Sequence, residues 1–387
     1  MKLNVAVVFG GISVEHDISI ITGVQALNAV DKGVYNVIPV YIDKVGEWYY
    51  SPDFFDVKVF CEGFKKVKSL KKVSFCGDNF LYIKGKNKLR KWQQVDCILL
   101  CTHGGNGENG ALQGFFEVAG VPYTSCSVFS SAVCMDKVAM KNILKQAQIP
   151  VIEGCVVKEK DFEFSQTASV KELENKLQYP VIVKPANLGS SIGISVCKNK
   201  TQLVKALKNA FQFDKKILVE KFIENLKEVN VSVFVGEDEF RFSQLESPKG
   251  KNEFLSFDDK YISQQSKSSG MANCGRELPA KVEPEVKNQI LKIAKSACEE
   301  LDCKGVVRID FIIETETGEI YINEINTIPG SLAFYLWEDS FSFDLLLDKL
   351  IQSAISGVKK EKQKIKSFAS SVLSRQVHQK LSPKLKV

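Results

Sequence analysis

The chain has 387 residues, 44% of them hydrophobic and 25% charged. That is the composition of a globular protein of two or three domains and excludes a disordered or collagen-like chain. The net charge of +6 is concentrated from Lys359 onward, where Lys and Arg far outnumber a single acid, Glu361. The body before it is therefore slightly acidic, and no extended nucleic-acid surface is implied. No apolar run approaches the ~20 residues that span a bilayer, and the N-terminal segment MKLNVAVVFGG has no cleavage-site pattern of a signal peptide.

In chain order, LNVAVVFGG (3–11) reads as a buried parallel strand ending in a glycine turn. SVEHDISIITGVQALNAV follows with helical periodicity, and YNVIPVYID (35–43) is a second strand, which makes a βαβ unit. Residues 44–94 read as small strands and loops. VDCILLCTHGG (95–105) is another buried strand, QGFFEVAG a short helix, and VPYTS (121–125) closes the first domain. An amphipathic helix, MDKVAMKNILKQAQIP, ends at Pro150. QYPVIVKPANLGSSIGISV (178–196) is strand, Gly/Ser loop, strand; a helix and the strand KILVEKFI (216–223) follow. EVNVSVFVG (228–236) opens the third region. A polar segment at 247–274 has no clear periodicity, residues 284–302 form a helix, and RIDFIIE with EIYINEIN makes a hairpin.

Eleven cysteines with no C-x-x-C pair, in a chain of this size, are expected to be free thiols in a reducing cytoplasm. Cys97 and Cys101 read as small hydrophobes in or beside a strand.

Two glycine loops and one polar cluster carry chemistry. Gly105-Asn106-Gly107-Glu108-Asn109-Gly110 matches G-x-G-x-x-G. It does not open the domain, and no acid follows about twenty residues on to hold a ribose, so a nicotinamide or flavin site is disfavoured. In VIVKPANLGSSIG, Lys184 stands at a strand end before a loop with Gly189, Ser190, Ser191 and Gly193. Lysine supplies a point charge for phosphate, and glycines admit close backbone approach. In the hairpin, Arg308 shares a face with Asp310, and Glu324 with Asn326. Polar groups in otherwise apolar strands are costly unless paired or liganded. Two carboxylates and an amide oxygen suit Mg²⁺ bridging phosphates; a salt-bridge network around Arg308 is the alternative.

The segments GGISVEHDIS, HGGNGENGALQG, SSAVCMDK, VIVKPANLGSSIG, VEKF, KEVNVSV, DDKY, VVRIDF and NEINTIPG occur in this order. Together they resemble the D-alanine–D-alanine ligases of the ATP-grasp superfamily, from about residue 3 to 350. The resemblance implies an α/β chain, α+β in its C-terminal part, with an ATP-grasp fold. The expected parts are an N-terminal Rossmann-like domain (1–125), a central subdomain (126–222), a C-terminal subdomain (223–358) with a lid at 247–274, and a basic tail (359–387). It implies ATP and two Mg²⁺ ions, with Mn²⁺ as a substitute, small-molecule substrates, a cytoplasmic location and a homodimer.

Carried over by motif, Lys137, Lys184 and Lys260 would hold phosphates with Ser190 and Ser191 of the loop. Glu220 and the backbone of Phe222 would face adenine, and Glu228 the ribose. Asp310, Glu324 and Asn326 would ligate the metals. Arg308 and the Gly330 amide would stabilise the oxyanion. Glu15, hydrogen-bonded to Ser131 and Tyr261, would hold the first ammonium, with His103 near the first carboxylate. His16 is taken as structural. The family's small hydroxyl residues after Pro-Gly are replaced here by Leu332 and Tyr335, which leaves Ser331, Tyr335 and Leu336 as candidates for the second substrate. Asn109 and Leu255 also depart from the pattern. The expected reaction joins two D-alanines through an acyl phosphate for peptidoglycan precursors. The alternatives are a different second substrate (D-lactate, D-serine or another amino acid) and an inactive nucleotide-binding regulator.

Overall fold

The computed structural model describes residues 2–86, 88–248, 275–365 and 370. Three sheets organise them. The first comprises β1 (Leu3–Gly10), β2 (Tyr35–Ile42), β3 (Trp48–Tyr50), β4 (Lys71–Phe75), β5 (Phe80–Lys84), β6 (Leu89–Gln94) and β7 (Cys97–Leu100). Their order across the sheet is β6-β5-β4-β3-β2-β1-β7. β1 pairs parallel with both β2 and β7, and β2 through β6 extend the sheet as an antiparallel meander. The small strands expected in 44–94 thus enlarge a Rossmann-like core. β1 is buried from Val5 to Gly10, as a continuous apolar run covered on both faces should be. The chain leaves β1 toward β2 on one side and reaches β7 on the other. The carboxyl ends of β1 and β7 therefore form a switch point, where open α/β sheets bind ligands.

The second sheet comprises β8 (Gly154–Lys158), β9 (Val181–Pro185), β10 (Ser195–Cys197) and β11 (Lys216–Lys221) in the order β10-β9-β11-β8. Helices Gln166–Lys176 and Lys200–Ala210 cover it through Val170, Leu173, Leu203 and Leu207. This sheet has an apolar core of its own.

The third comprises β12 (Leu226–Val235), β13 (Phe240–Pro248), β14 (Arg276–Glu277), β15 (Gly305–Glu314) and β16 (Ile320–Asn326), ordered β14-β13-β12-β15-β16. β15 and β16 form the expected hairpin, with Arg308 opposite Asn326 and Asp310 opposite Glu324. Strand pairing on β13 continues through Pro248, into the segment read as a lid. Residues 249–274 lie outside the described residues, and with them Lys260, Tyr261 and Leu255.

Core membership crosses the chain order twice. Met140, Leu144 and Ile149, on and just after the Lys137–Gln146 helix, pack with Val229, Val231 and Phe311 of the third sheet. Leu346, Leu347, Leu350 and Ile351 of the Phe343–Lys362 helix, with Trp337, pack into the core of the first sheet. No helix among the described residues is long and apolar enough to cross a membrane.

All ten described cysteines are free. Cys126, Cys134, Cys298 and Cys303 share the third sheet's core. Hydrogen bonds from its neighbouring thiols, then burial, push the Cys303 thiol up, and burial alone does the same for Cys101. Thiolate is the reactive form. In native protein treated with a chromogenic disulfide, Cys61 and Cys76, both exposed, are expected to react first, and the buried thiols only on unfolding. Mass mapping that found Cys97 or Cys303 labelled as fast as Cys61 would contradict this packing.

Candidate active site

Glu15 and His103 sit at the switch point, just beyond the ends of β1 and β7. Gly104 (φ +62°) and Gly189 flank the Glu15 carboxylate. A Cβ on Gly104 would lie 2.5 Å from a Glu15 oxygen, and one on Gly189 3.1 Å from it. Gly104 therefore needs glycine, and a side chain at Gly189 would press on the acid. Ser190, in the left-handed region at φ +56°, donates its hydroxyl proton to Glu15 Oε1. This corrects the sequence expectation: the serine bonded to Glu15 is Ser190, while Ser131 Oγ donates to the Cys126 carbonyl at 3.3 Å. The Gly/Ser loop of the second sheet thereby reaches across to the first.

Two adjoining cavities follow. One is lined by Glu15, His103, Glu108, Arg308, Asn326 and Gly330. The other is lined by Lys184, Ser191, Glu228, Asn230, Asp310 and Asn323. Lys137, Gly189 and Glu324 form part of both walls. A single cleft with two lobes thus meets at a lysine, a glycine loop and a carboxylate. Lys137 is held at the N-terminus of its helix, where Asp136 accepts from the Val138 and Ala139 amides at 3.1 Å. Its ammonium donates to the Leu188 carbonyl at 2.7 Å and lies 3.7 Å from Glu324.

In the second lobe a buried triad supports Lys184. Its Nζ lies 2.7 Å from Glu220 Oε2 and donates to Asn323 Oδ1 at 3.1 Å. Glu220 is fully buried and also pairs with Lys141, one helical turn after Lys137. Burial favours the neutral acid, but the two ammonium groups outweigh it and hold the Glu220 carboxyl below its usual range. For Lys141 the balance is reversed: burial is the larger influence, and its pKa falls to about 8. The Phe222 amide donates to the Pro180 carbonyl at 3.1 Å.

In the first lobe Arg308 grips Asp310 with two bonds, Nε to Oδ1 at 2.6 Å and Nη2 to Oδ2 at 2.7 Å. Burial alone would weaken the guanidinium's hold on its proton, but Asp310 more than offsets that and keeps it charged. Asn326 Nδ2 donates to Asp310 Oδ2 at 3.2 Å. Asp310 stands opposite Glu324 on the hairpin, with Asn326 beside them. Two carboxylates and an amide are ligand types that suit a magnesium ion. Here Arg308 takes both Asp310 oxygens and Asn326 turns its amide nitrogen to one of them, and among the described residues no group of three or more His, Cys, Asp or Glu is placed to hold a metal. Glu108 ties the first glycine loop to the turn after β16: Oε2 accepts from the Gly104 amide and Oε1 from the Ile328 amide, each at 3.0 Å. Burial first, and Glu15 second, push its carboxyl up to about 7. Burial likewise lowers His103 to about 4, so its imidazole is neutral.

Of the sequence candidates, Glu15, His103, Lys137, Arg308, Glu324, Asn326 and Gly330 line the first lobe. Lys184, Ser191, Glu228 and Asp310 line the second. Tyr335 and Leu336 are not among the residues that line the two lobes. Ser331, Leu332 and Ala333 have φ of 53°, 50° and 50°, and this left-handed coil buries the residues that follow. Leu336 enters the first core. Tyr335 lies under the Arg276 guanidinium, 4.1 Å from its ring centre, with its hydroxyl 3.4 Å from Glu246 Oε1. Ser331 is buried as well. Sequence reasoning passed over Thr22, Glu108, Lys141 and Asn323. Glu108 stood within a quoted glycine motif and Lys141 one turn from Lys137, so both had a local signal; Thr22 and Asn323 had none.

A three-sheet frame with a phosphate-type lysine pair and a Gly/Ser loop over a hairpin of acids is the architecture of an ATP-grasp ligase, and the comparisons with known proteins agree. Family models described as D-ala D-ala ligase N-terminus and D-ala D-ala ligase C-terminus match residues 4–126 and 143–352. The chain belongs to the D-alanine–D-alanine ligase family. It is 41% identical to a D-alanine–D-alanine ligase of Thermosipho melanesiensis over 97% of this chain and 99% of that one. It is 35% identical to that of Caldicellulosiruptor bescii over 93% and 97%. Among solved structures it resembles the VanG D-Ala:D-Ser ligase from Enterococcus faecalis, with a TM-score of 0.78 and 29% identity, covering 92% of this chain and 100% of that one. It also resembles the D-alanine–D-alanine ligase from Coxiella burnetii, with 0.77 and 28% over 98% and 99%.

Proposed function

We propose that the protein joins two D-alanines, using ATP, to give D-alanyl-D-alanine for peptidoglycan precursors in the cytoplasm. The observation that carries this is the two-lobed cleft meeting at Lys137, Gly189 and Glu324. One lobe has the lysines and glycine loop that suit polyphosphate; the other has an acid, Glu15, and a cation, Arg308, that suit an amino-acid zwitterion. The junction is where a phosphoryl group passes from one to the other.

In the first step a carboxylate oxygen of the first D-alanine attacks the γ-phosphorus, and ADP leaves. In the second, the free amine of the second D-alanine attacks the acyl carbon, the carbon–oxygen bond to phosphate breaks, and the nitrogen loses a proton. Glu15, set by Ser190, holds the first ammonium. Lys137 and Lys184 bind the phosphates, with Lys260 from the segment outside the described residues. Glu228 takes the ribose, with the adenine near Glu220 and Phe222. Arg308 and Gly330 bind the developing oxyanion, the kind of stabilisation in which one donor is worth roughly 3–4 kcal/mol. Asp310, Glu324 and Asn326 would hold magnesium, which would neutralise charge on the transferring phosphoryl group. The neutral imidazole of His103 leaves the first carboxylate free to act as a nucleophile.

The test is phosphate release from ATP and Mg²⁺ with D-alanine alone, followed by mass spectrometry. Phosphate with a D-Ala-D-Ala mass supports the reading. Release only when a second amino or hydroxy acid is added shows a different acceptor, such as the D-serine of the similar D-Ala:D-Ser ligase from Enterococcus faecalis. No release with any pair sinks the ligase reading.

A further inference from the structure

Thr22 lies on the His16–Ala29 helix, fully buried and outside both lobes of the cleft. It joins three segments far apart in sequence. The Ser331 amide donates to Thr22 Oγ1 at 2.9 Å. Thr22 Oγ1 lies 2.7 Å from His103 Nε2, and His103 Nδ1 lies 2.8 Å from the Ile328 carbonyl. A carbonyl can only accept, so Nδ1 carries the imidazole proton. Nε2 is then the acceptor, and the Thr22 hydroxyl donates to it. Every proton in the chain is assigned: Ser331 N–H to Thr22, Thr22 O–H to His103, His103 Nδ1–H to Ile328.

The segment so held is strained. Three consecutive residues without glycine's freedom, Ser331, Leu332 and Ala333, are left-handed, a conformation that L-residues adopt at a cost. Such strain persists only where the surroundings over-determine it. The amide of the first of the three is the one fixed by Thr22. Immediately before it stands Gly330, in the wall of the first lobe.

We propose that Thr22 is a positioning residue: its hydroxyl braces Nε2 of His103, whose Nδ1–H tautomer the Ile328 carbonyl sets, and anchors the left-handed turn, and so places Gly330 at the reacting carbonyl. This rests on the ligase reading for its kinetic arm and not for its spectroscopic one. Thr22→Val keeps the shape and removes both hydrogen bonds; Thr22→Ser keeps both. With Thr22→Val, kcat is expected to fall on the order of a hundredfold, the cost of misplacement by about 1 Å, while KM for ATP stays within about twofold. Thr22→Ser is expected to retain kcat within about threefold.

The spectroscopic arm uses ¹⁵N-histidine NMR of the full chain, which has three histidines, with His103 assigned by its loss in His103→Asn. The Nδ1–H tautomer is expected in all three proteins, because the Ile328 carbonyl sets it; the resonance of the unprotonated Nε2 is expected to be the same in the parent and Thr22→Ser and to shift in Thr22→Val, where its donor is gone. Should Thr22→Val fail to fold, Thr22→Ala carries the same comparisons. A valine variant with parental kcat, or a serine variant as impaired as valine, overturns the positioning role. If the parent protein makes no dipeptide with any pair of D-amino acids, the ligase reading fails and the kinetic part falls with it. An Nε2 resonance that does not move in Thr22→Val overturns the clamp itself.

Discussion

Replacing Arg308 with glutamine is expected to lower kcat about 10²–10³-fold, the loss seen when one preorganised oxyanion donor is removed. The guanidinium is 9% exposed, so its charge acts in a medium that screens little. It is aimed by the two-bond grip of Asp310, and β15 fixes both residues on one face. Glutamine fills much of the same space and can still donate one hydrogen bond, but it carries no charge to oppose a developing oxyanion. KM for ATP is expected to change little, because Lys137 and Lys184 reach their lobe from other elements. Arg308→Lys is expected to recover only part of the loss, since a point charge cannot reproduce the planar fork. Steady-state phosphate release read as a function of each substrate checks this. A glutamine variant with kcat within about threefold of the parent would remove Arg308 from the reaction.

The second large effect is on stability. Glu220→Gln leaves Lys141 and Lys184 buried beside each other without their shared acid. Breaking a buried pair from one side typically costs about 3–5 kcal/mol. The cost is expected to depend on pH, and its sign follows from proton counting. Lys141, already at about 8 in the parent, loses the opposing charge, so its folded-state value falls further below the unfolded value of about 10.4. Between those values the unfolded chain binds more protons than the folded one, and stability rises with pH. In the parent this rise begins only near pH 8. The gap between variant and parent should therefore narrow as the pH rises from below neutral toward about 8. Calorimetric scans at several pH values measure it; a gap that stays constant across that range would sink the argument.

Much of the frame was legible because it is local. An unbroken apolar strand before a glycine turn marks β1, and alternation marks β15 and β16 with Arg308 and Asp310 facing one way. The polar groups of that hairpin were conspicuous because charge inside an apolar strand needs a reason. What failed was long-range. The sequence offered Ser131 for Glu15 and Ser190 for phosphate; only the crossing of the Gly/Ser loop onto the first sheet brings Ser190 to Glu15. The amphipathic pattern of Lys137–Gln146 shows which side is apolar without saying that the third sheet covers it. The left-handed coil at 331–333 has no glycine to announce it, so Tyr335 and Leu336 were counted toward the cleft. Thr22 gives no periodic signal, because its partners lie at His103 and Ser331.

The exchange of helices between cores has a consequence for synthesis on the ribosome. Strands β1–β7 are among the first residues made, yet their apolar face is completed by Trp337 and by Leu346, Leu347, Leu350 and Ile351. At about 5–20 residues per second, domains that are self-contained fold as they emerge. Here the opening sheet must wait on the order of tens of seconds for its last layer. The second sheet, whose core draws only on its own stretch of chain, can close in the meantime. The order in which the parts are made is thus not the order in which they are finished, and the nascent chain carries an open apolar face until the first half of the Phe343–Lys362 helix has been translated.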